Sequence, residues 1–396
     1  MPDFYIQFSE EELAALKADV RVPAADKRYP YRYPFILIHG YDNMTETMVG
    51  ARDVIRAQGF EAYSPHVGPY TSSWDRACDL YAILLGGKAD YGEAHSKKYN
   101  HARFGTREYP GLVPDWGNED VAGNVKKINF IGHSFGGITA RTFLNLLAEG
   151  SEAEREATPP EELSPLFAGG KESWVNSITT LATPHNGVTI SALADPVIRA
   201  QRFTEFLQAN LNSGTDNEKA GAYEMDMFGF SSGDKKLPPR PDRIMRFLTG
   251  QDNAFYELEP KGCAEVTKDY KTYPGVYYFS YRGVATVAGT GGIGQVPDSL
   301  MIERYRGVAT TMGMYRSDEY GPEWQANDGR VNEYSARAPF GEEQCDYPGE
   351  AYVKPGVWNI MPAEHKYHSA YLGEEWPREE FIQFYSDLCR RIARLP

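Results

Sequence analysis

The stretch that decides the fold is Ile131-Gly132-His133-Ser134-Phe135-Gly136-Gly137, which contains the pattern Gly-x-Ser-x-Gly. The residues before it, from Val125, alternate and are β-branched as in a strand, and the residues after it, Ile138 to Leu144, follow helical spacing. Ser134 is therefore predicted on a tight turn between a strand and a helix, the setting in which a nucleophilic serine is found. An ordinary glycine-rich turn is the alternative interpretation.

The remaining predicted elements alternate between strands and helices. Strands are predicted over residues 33–40 (continuously apolar at 35–38), 60–64, 174–182 and 276–281, and helices over 9–19, 47–58, 72–85 and 377–394. This alternation is typical of an α/β fold, a mostly parallel central sheet with helices on both faces. Because no repeat or low-complexity linker divides the chain, we predict one domain over residues 1–396, with a polar excursion at 68–117 and a helical insertion at 188–236.

The composition excludes several classes of partner. The chain has 396 residues and a net charge of −14, which argues against nucleic acid and anionic membranes as partners. No apolar run approaches the roughly 18 residues of a transmembrane segment. Four scattered cysteines indicate neither a disulfide scaffold nor a Cys-x-x-Cys metal site, and their pairing stays open, as does the oligomeric state.

The first residues, Met1-Pro2-Asp3-Phe4, lack the basic and apolar regions of a secretory signal. The protein is therefore either cytoplasmic or a mature secreted form.

A nucleophilic serine needs a histidine base, and three histidines follow Ser134 in the chain. His185 follows too closely to leave room for a strand that carries the acid. His365 and His368 both lie in a loop shortly before the last helix, and the residues alone do not choose between them.

The acid and the oxyanion donors have candidates as well. Asp328 stands out among the acids because Asn327-Asp328-Gly329 is a sharp turn signal, although a plain surface turn is the alternative. Backbone N–H groups of Phe135, after the nucleophile, and of Tyr41, after the buried strand, are predicted to bind the oxyanion.

A second glycine pattern, Gly289-Thr290-Gly291-Gly292-Ile293-Gly294, fits the Gly-x-Gly-x-x-Gly fingerprint of dinucleotide sites. No helix is predicted directly after it, and Pro297 and Asp298 follow instead. We therefore interpret it as a flexible loop near the mouth of the active site and predict no nucleotide cofactor.

Long stretches of the chain resemble the thermoalkalophilic bacterial lipases of family I.5, which are related to the staphylococcal lipases, and the polyester-hydrolysing anaerobe esterases of that branch. The resemblance covers residues 33 to 390. The matching stretches are Gly68-Pro69, Ser72 to Cys78, Gly86-Gly87, Asp90 to Gly92, Ala94-His95, His101 to Gly105, Tyr109 to Leu112, Leu163 to Phe167, Ala182 to His185, Asn327 to Gly329 and Gly356 to Asn359.

This resemblance implies an α/β-hydrolase fold with a catalytic triad. It makes Ser134 the nucleophile, Asp328 the acid and His368 the base, since the distance from His368 to Gly373 matches the family pattern. It also implies a zinc site, whose four ligands fall on Asp75, His95, His101 and Asp226. A closed shell of four ligands would make the zinc structural, holding the 68–117 excursion onto the segment around Asp226.

The chain departs from the family at three places. Phe135 replaces the Gln that follows the nucleophile in the thermophilic lipases. Ala370 replaces a Glu of the family's calcium site, and although Glu375 falls near another ligand position, we do not predict calcium. The insertion at 188–236, which matches the family's lid, is more polar here, and this favours small or dispersed esters over an oil interface.

The predicted function is therefore carboxylic ester hydrolysis through an acyl-enzyme, of the triacylglycerol lipase type and acting on esters of short or medium acyl chains. The alternatives are a broader esterase that accepts polyesters and, from another class, a non-catalytic binding protein on the same fold. The predicted partner is an ester or lipid substrate, and the resemblance favours secretion over the cytoplasm.

Overall fold

The four apolar residues Phe35–Ile38 form an inner strand of a seven-stranded sheet. The computed structural model describes residues 5–20, 22–23, 26–29, 31–41, 45–193, 201, 203–204, 226–228 and 241–396. Its strands are β1 (Phe35–Ile38), β2 (Ala62–Tyr63), β3 (Ile128–His133), β4 (Val175–Leu181), β5 (Tyr277–Tyr281), β6 (Thr286–Ala288), β7 (Gln295–Pro297), β8 (Gln344–Asp346) and β9 (Trp358–Ile360). The order in the sheet is β2-β1-β3-β4-β5-β9-β8, and every neighbouring pair is parallel.

The helices connect these strands. They are α1 (Glu10–Val20), α2 (Val49–Ala57), α3 (Ser73–Leu85), α4 (Glu93–Tyr99), α5 (Phe135–Glu149), α6 (Glu152–Ala157), α7 (Pro165–Ala168), α8 (Thr189–Leu193), α9 (Pro241–Thr249), α10 (Ala254–Glu257), α11 (Pro260–Thr267), α12 (Glu303–Met314), α13 (Glu333–Arg337) and α14 (Arg378–Ala393). Short 3-10 helices lie at Thr45–Met48, Glu172–Trp174, Asp226–Phe228, Thr290–Gly292, Pro322–Trp324, Glu350–Tyr352 and His368–Leu372.

The sheet is covered on both faces, which is why β1 has no polar residue. Ile36 and Ile38 pack in one core cluster with residues of α3 and α5, whereas Phe35 and Leu37 pack in a second cluster with residues of α2 and α14. Successive side chains of a strand point to opposite faces, so a strand between two helical layers favours apolar residues at every position. The predicted mostly parallel sheet with helices on both faces is confirmed.

Some of the observed helices and strands were predicted from the sequence, and others were not. The helices predicted at 72–85 and 377–394 are α3 and α14, each within two residues. Helix α12 and the strands β8 and β9 were not predicted. Most of the insertion predicted at 188–236 lies outside the described residues, which include residue 188, α8, residues 201 and 203–204, and the 3-10 helix Asp226–Phe228.

The glycine pattern at residues 289–294 forms the connection of an antiparallel hairpin between β6 and β7. A dinucleotide site needs a helix to open directly after the glycines, and here a strand follows. The sequence interpretation of this pattern as a loop is confirmed.

None of the helices in the described part of the chain combines the length and apolar composition that crossing a membrane would need. All four cysteines are unpaired, and Cys345 alone among them is exposed.

Four histidines are held in their neutral form by the fold. Burial lowers the pKa of His39, His66, His133 and His185, and for His66 burial together with the nearby Arg76 lowers the pKa to about 3. In the unfolded chain these imidazoles would titrate near pH 6.5. Between the two pKa values the unfolded state therefore binds more protons than the folded state does.

We predict that the free energy of unfolding decreases as the pH falls from about 6.5, by roughly 1.4 kcal/mol per pH unit for each such histidine. Urea unfolding at pH 7, 6 and 5 measures this slope. The variant His66→Gln, which has no imidazole to titrate, should show a shallower slope than the unsubstituted protein between pH 6 and pH 5. An equal slope in both proteins would contradict the assignment for His66.

Candidate active site and metal cluster

Ser134 occupies a strained turn between β3 and α5. Its backbone angles are φ 55° and ψ −128°, a conformation that residues other than glycine rarely adopt. Its N–H donates to the carbonyl of Leu181 at 2.8 Å, and its own carbonyl accepts from the Thr183 hydroxyl at 2.8 Å. These bonds tie the turn to the carboxyl end of β4, so the strain is sustained by the neighbouring strand.

The glycines of the pattern are required because backbone segments approach closely at this turn. A Cβ atom at Gly132 would lie 2.5 Å from the backbone nitrogen of Gly137, and one at Gly136 would collide with the carbonyl oxygen of Ile38. The structure thus supplies a physical reason for the spacing from which the sequence prediction began.

The predicted base and acid are bonded to each other. His368 Nδ1 lies 2.8 Å from Asp328 Oδ2, and both side chains are buried. The second carboxylate oxygen, Oδ1, accepts from the backbone N–H groups of Arg330 at 2.9 Å and Val331 at 2.7 Å. The His368 N–H donates to the Asp328 carbonyl at 2.9 Å, so the two residues are also fixed through their backbones.

The two other histidines near this pair have different contacts. His133 is buried beside the base, with its ring centroid 4.7 Å from that of His368, and its Nε2–H donates to the His368 carbonyl at 3.1 Å. His365, the alternative base, has an exposed side chain and pairs with Asp298. The structure therefore brings Asp328 to His368 and not to His365.

Ser134 and His368 line one cavity of about 250 Å³. Apolar side chains form much of its wall, and Tyr41 contributes to it as well. The described lining residues are Tyr5, Tyr41, His133, Ser134, Val188, Ile190, Ser191, Leu258, Arg304, Tyr305, Arg330, Val331, His368, Ser369 and Leu372. The predicted nucleophile, the predicted base and the predicted oxyanion loop thus line one cavity.

Two buried side chains fix the loop His39-Gly40-Tyr41: that of Arg76 on α3, and that of His39 within the loop itself. Arg76 donates to the carbonyls of His39 and Gly40, the latter at 3.4 Å. His39 Nε2 accepts from the Val67 N–H at 3.2 Å, so its proton resides on Nδ1, which donates to the Gly40 carbonyl at 2.9 Å. Burial lowers the pKa of Arg76 to about 9, although Asp79 and Glu257 raise it in part.

Phe135 begins α5, where the first backbone N–H groups have no acceptor within the helix. Its ring lies 5.0 Å from the guanidinium carbon of Arg76 and contributes to the apolar core below the turn. The side chain therefore packs away from the backbone N–H that is predicted to bind the oxyanion. The roles of Phe135 and Tyr41 as oxyanion donors remain predictions.

A separate cluster gathers two carboxylates and two imidazoles. Its members are Asp75, His95, His101 and Asp252, which each offer one ligand atom within 4.8 Å of the others. Nε2 of His95 lies 3.3 Å from Asp75 Oδ1 and 3.2 Å from Asp252 Oδ1, and His101 Nε2 lies 3.2 Å from Asp252 Oδ2. Ligand atoms about 2.0–2.2 Å from a tetrahedral zinc would be about 3.3–3.6 Å apart, which is close to these separations.

The electrostatics of the cluster favour a bound cation. His101 Nδ1–H donates to the Ala102 carbonyl at 2.8 Å, so its Nε2 presents a lone pair to the Asp252 carboxylate. These facing nitrogen and oxygen atoms are buried without hydrogen-bond partners. Burial would lower the pKa of His95, but Asp252 and Asp75 raise it to about 10. The residues present therefore fit a divalent metal ion.

The fourth member of the cluster differs from the sequence prediction, which placed it at Asp226. Asp226 lies in the 3-10 helix Asp226–Phe228, and its side chain is outside the described residues. The next residue, Met227, accepts from the Ala102 N–H at 3.1 Å, so the predicted segment does contact the excursion. The carboxylate that the structure brings to the imidazoles is that of Asp252, between α9 and α10.

Comparison with known proteins identifies the family. The profile of the family described as "Lipase-like, C-terminal domain" matches residues 31–395. The chain belongs to this family. Lipase 1 of Staphylococcus aureus strain MRSA252 is 28% identical over 98% of this chain. The chain spans 58% of the length of that curated relative.

Solved structures of similar proteins agree with this membership. Staphylococcus hyicus lipase has a TM-score of 0.79 and 30% identity, covering 94% of this chain and 98% of that one. Lipase 1 from Pelosinus fermentans has a TM-score of 0.73 and 32% identity, covering 92% of this chain and 99% of that one. EstA from Clostridium botulinum has a TM-score of 0.77 and 30% identity, covering 98% of this chain and 99% of that one. The resemblance and the α/β-hydrolase type of fold that it implied are confirmed.

The strain at Ser134 can be measured with two inactive variants. We predict that Ser134→Gly unfolds with a free energy about 1 kcal/mol higher than Ser134→Ala, because only glycine adopts a φ of 55° without steric cost. Urea unfolding of both variants at one pH gives the difference. A glycine variant no more stable than the alanine variant would show that the turn is not strained.

Proposed function

We propose that this protein hydrolyses carboxylic esters through an acyl-enzyme on Ser134. The observation that carries the proposal is the bond of 2.8 Å between His368 Nδ1 and Asp328 Oδ2, in a cavity that Ser134 also lines. Membership of the lipase-like family and the likeness to two solved lipases and an esterase support it. A non-catalytic binding protein would not need this bonded pair beside a strained serine.

The proposal assigns one task to each residue. Asp328 accepts from His368 Nδ1–H, which leaves Nε2 free to take the proton of the Ser134 hydroxyl as the serine attacks the ester carbonyl. The imidazolium that forms is stabilised by the Asp328 carboxylate and then donates its proton to the leaving alcohol. Backbone N–H groups of Tyr41 and Phe135 would hold the oxyanion. Water activated by the same base then releases the acid.

The size of the cavity supports short or medium acyl chains. A volume of about 250 Å³ in the described part of the chain is below the roughly 300–1,000 Å³ of pockets for drug-sized ligands. A triacylglycerol lipase and a broader esterase that accepts polyesters both remain within the proposal. Turnover across a series of acyl chain lengths, with and without an emulsion, distinguishes the two.

We also propose that Asp75, His95, His101 and Asp252 hold a structural zinc ion. Four protein ligands complete a tetrahedral shell and leave no position for water, so the ion would supply cross-linking and not catalysis. The ligands come from α3, α4, the segment after α4 and the α9–α10 connection. Zinc would therefore hold the 68–117 excursion against the chain after α9, within the single domain that we predict. Secretion likewise stays a prediction.

Replacement of the base tests the proposed reaction. We expect His368→Gln and Ser134→Ala to reduce kcat for a soluble butyrate ester by at least about 10⁴-fold, because proton transfer from the nucleophile is lost. The matched control is His365→Gln, which removes a histidine three positions away whose partner is Asp298. Loss of activity in the control but not in His368→Gln would reverse the assignment.

The metal prediction is tested by zinc content and thermal unfolding. We expect about one zinc per chain in the purified protein, and a decrease in Tm of several degrees when a chelator removes it. Asp252→Asn should lose the metal and show the lower Tm without chelator, since an amide replaces a charged ligand.

The matched control is Asp226→Asn, which changes the carboxylate that the sequence predicted and leaves the four clustered side chains intact. It should retain zinc. Zinc retained by Asp252→Asn and lost by Asp226→Asn would restore the prediction made from the sequence.

A further inference from the structure

The cavity that holds Ser134 and His368 has a positively charged wall. Among its described lining residues are two arginines, Arg304 and Arg330, and no aspartate or glutamate. The chain as a whole has a net charge of −14, so two arginines that line the cavity of Ser134 have a charge opposite to that of the protein overall. A charge of this sign at a binding site attracts substrates of the opposite sign.

The two arginines are arranged around one aromatic ring. Both guanidinium carbons lie 5.0 Å from the centroid of the Tyr305 ring, which is itself buried. Arg304 and Tyr305 lie on α12, whereas Arg330 lies in the turn that follows Asp328. A guanidinium that stacks on an aromatic ring keeps its N–H donors available at its edge.

Two acidic groups lie close by, and both have partners. Glu374 is buried and forms an ion pair with Arg304 while it accepts from the Ser369 hydroxyl. Asp328 uses one oxygen for His368 and the other for two backbone N–H groups. Within the described residues, no carboxylate forms an ion pair with the Arg330 side chain, so its guanidinium donors are not used by a carboxylate there.

Arg330 is fixed relative to the catalytic pair. Its backbone N–H donates to Asp328 Oδ1 at 2.9 Å, two positions from the acid that orients the base. Its side chain is nevertheless exposed enough to meet a ligand that enters the cavity. The position of an anion bound by Arg330 would therefore be set with respect to the scissile bond.

We propose that this site selects esters that carry an anionic group, a carboxylate or a phosphate, which binds Arg330 with Arg304 beside it. The proposal rests on the proposed ester hydrolysis and names the substrate class of the same site. Guanidinium donors match the paired oxygens of both groups, so the chemistry of recognition is shared. The anion would belong either to the acyl part or to the alcohol part of the ester.

The test compares matched esters with and without an anionic group. For the acyl side, kcat/KM is measured for monoethyl adipate and for diethyl adipate, at pH 7.5 and low salt. For the alcohol side, the pair is hexanoyl glycerol with and without a phosphate on the glycerol. The readout is the ratio of kcat/KM for the anionic and the neutral member, which separates charge recognition from the chemical step.

We expect Arg330→Gln to lower this ratio about fivefold in one of the two pairs, a change typical of an exposed ion pair of about 1 kcal/mol. Arg330→Lys keeps the charge and should retain most of the ratio. The matched control is Arg28→Gln, which removes an exposed arginine paired with Asp26 outside the cavity and changes the net charge equally. Added salt should lower the ratio of the unsubstituted protein toward that of Arg330→Gln.

The outcomes separate this proposal from the proposed function. If the unsubstituted protein cleaves the neutral esters and the ratio is the same in Arg330→Gln, the anionic subsite is refuted and ester hydrolysis stands. If Arg28→Gln lowers the ratio as much, net charge and not the subsite governs selectivity, and the proposal is also refuted. If neither charged nor neutral esters are cleaved, ester hydrolysis and the subsite fail together.

Discussion

The turn at Ser134 is the constraint on which the rest of the site depends. Its backbone is strained, and it persists because the carboxyl ends of three adjacent strands enclose it: β1 approaches Gly136, β3 leads into it, and β4 accepts its N–H. No side chain fits between these segments at Gly132 or Gly136. The predicted oxyanion loop after β1 and the predicted base after β9 line the same cavity as the serine because parallel strands place their carboxyl ends at one edge.

Local pattern was sufficient for the elements that are long or buried on both faces. The apolar run Phe35–Ile38 predicted an inner strand, and the glycine spacing around Ser134 predicted the turn, because each leaves a recognisable pattern within a few consecutive residues. Strand β9 has three residues, which is too few for a period to be visible. Helix α12 was not among the predicted elements, and two of the cavity's lining residues, Arg304 and Tyr305, come from it.

The metal cluster contains one residue, Asp252, that the sequence analysis did not predict. His95 and His101 were predicted as ligands only through the family resemblance, since their spacing of six residues is not by itself a ligand pattern. Asp252 lies between two short helices, in a segment without a recognisable ligand pattern, and it meets the imidazoles only through the packing of that segment. A residue about 150 positions from its partners can be assigned only when the path of the chain between them is known.

The bond between His133 and the carbonyl of His368 joins residues 235 positions apart, across a sheet in which β9 pairs beside β5. Such pairings form slowly, because a long segment must lose conformational entropy before the contact forms and its favourable energy offsets that loss. During synthesis the serine turn emerges long before the segment that supplies its base. On the proposed mechanism, the nascent chain would therefore carry its serine turn before the residues that complete the site, and the bonded pair of Asp328 and His368 forms only when residues 358–372 dock onto the sheet.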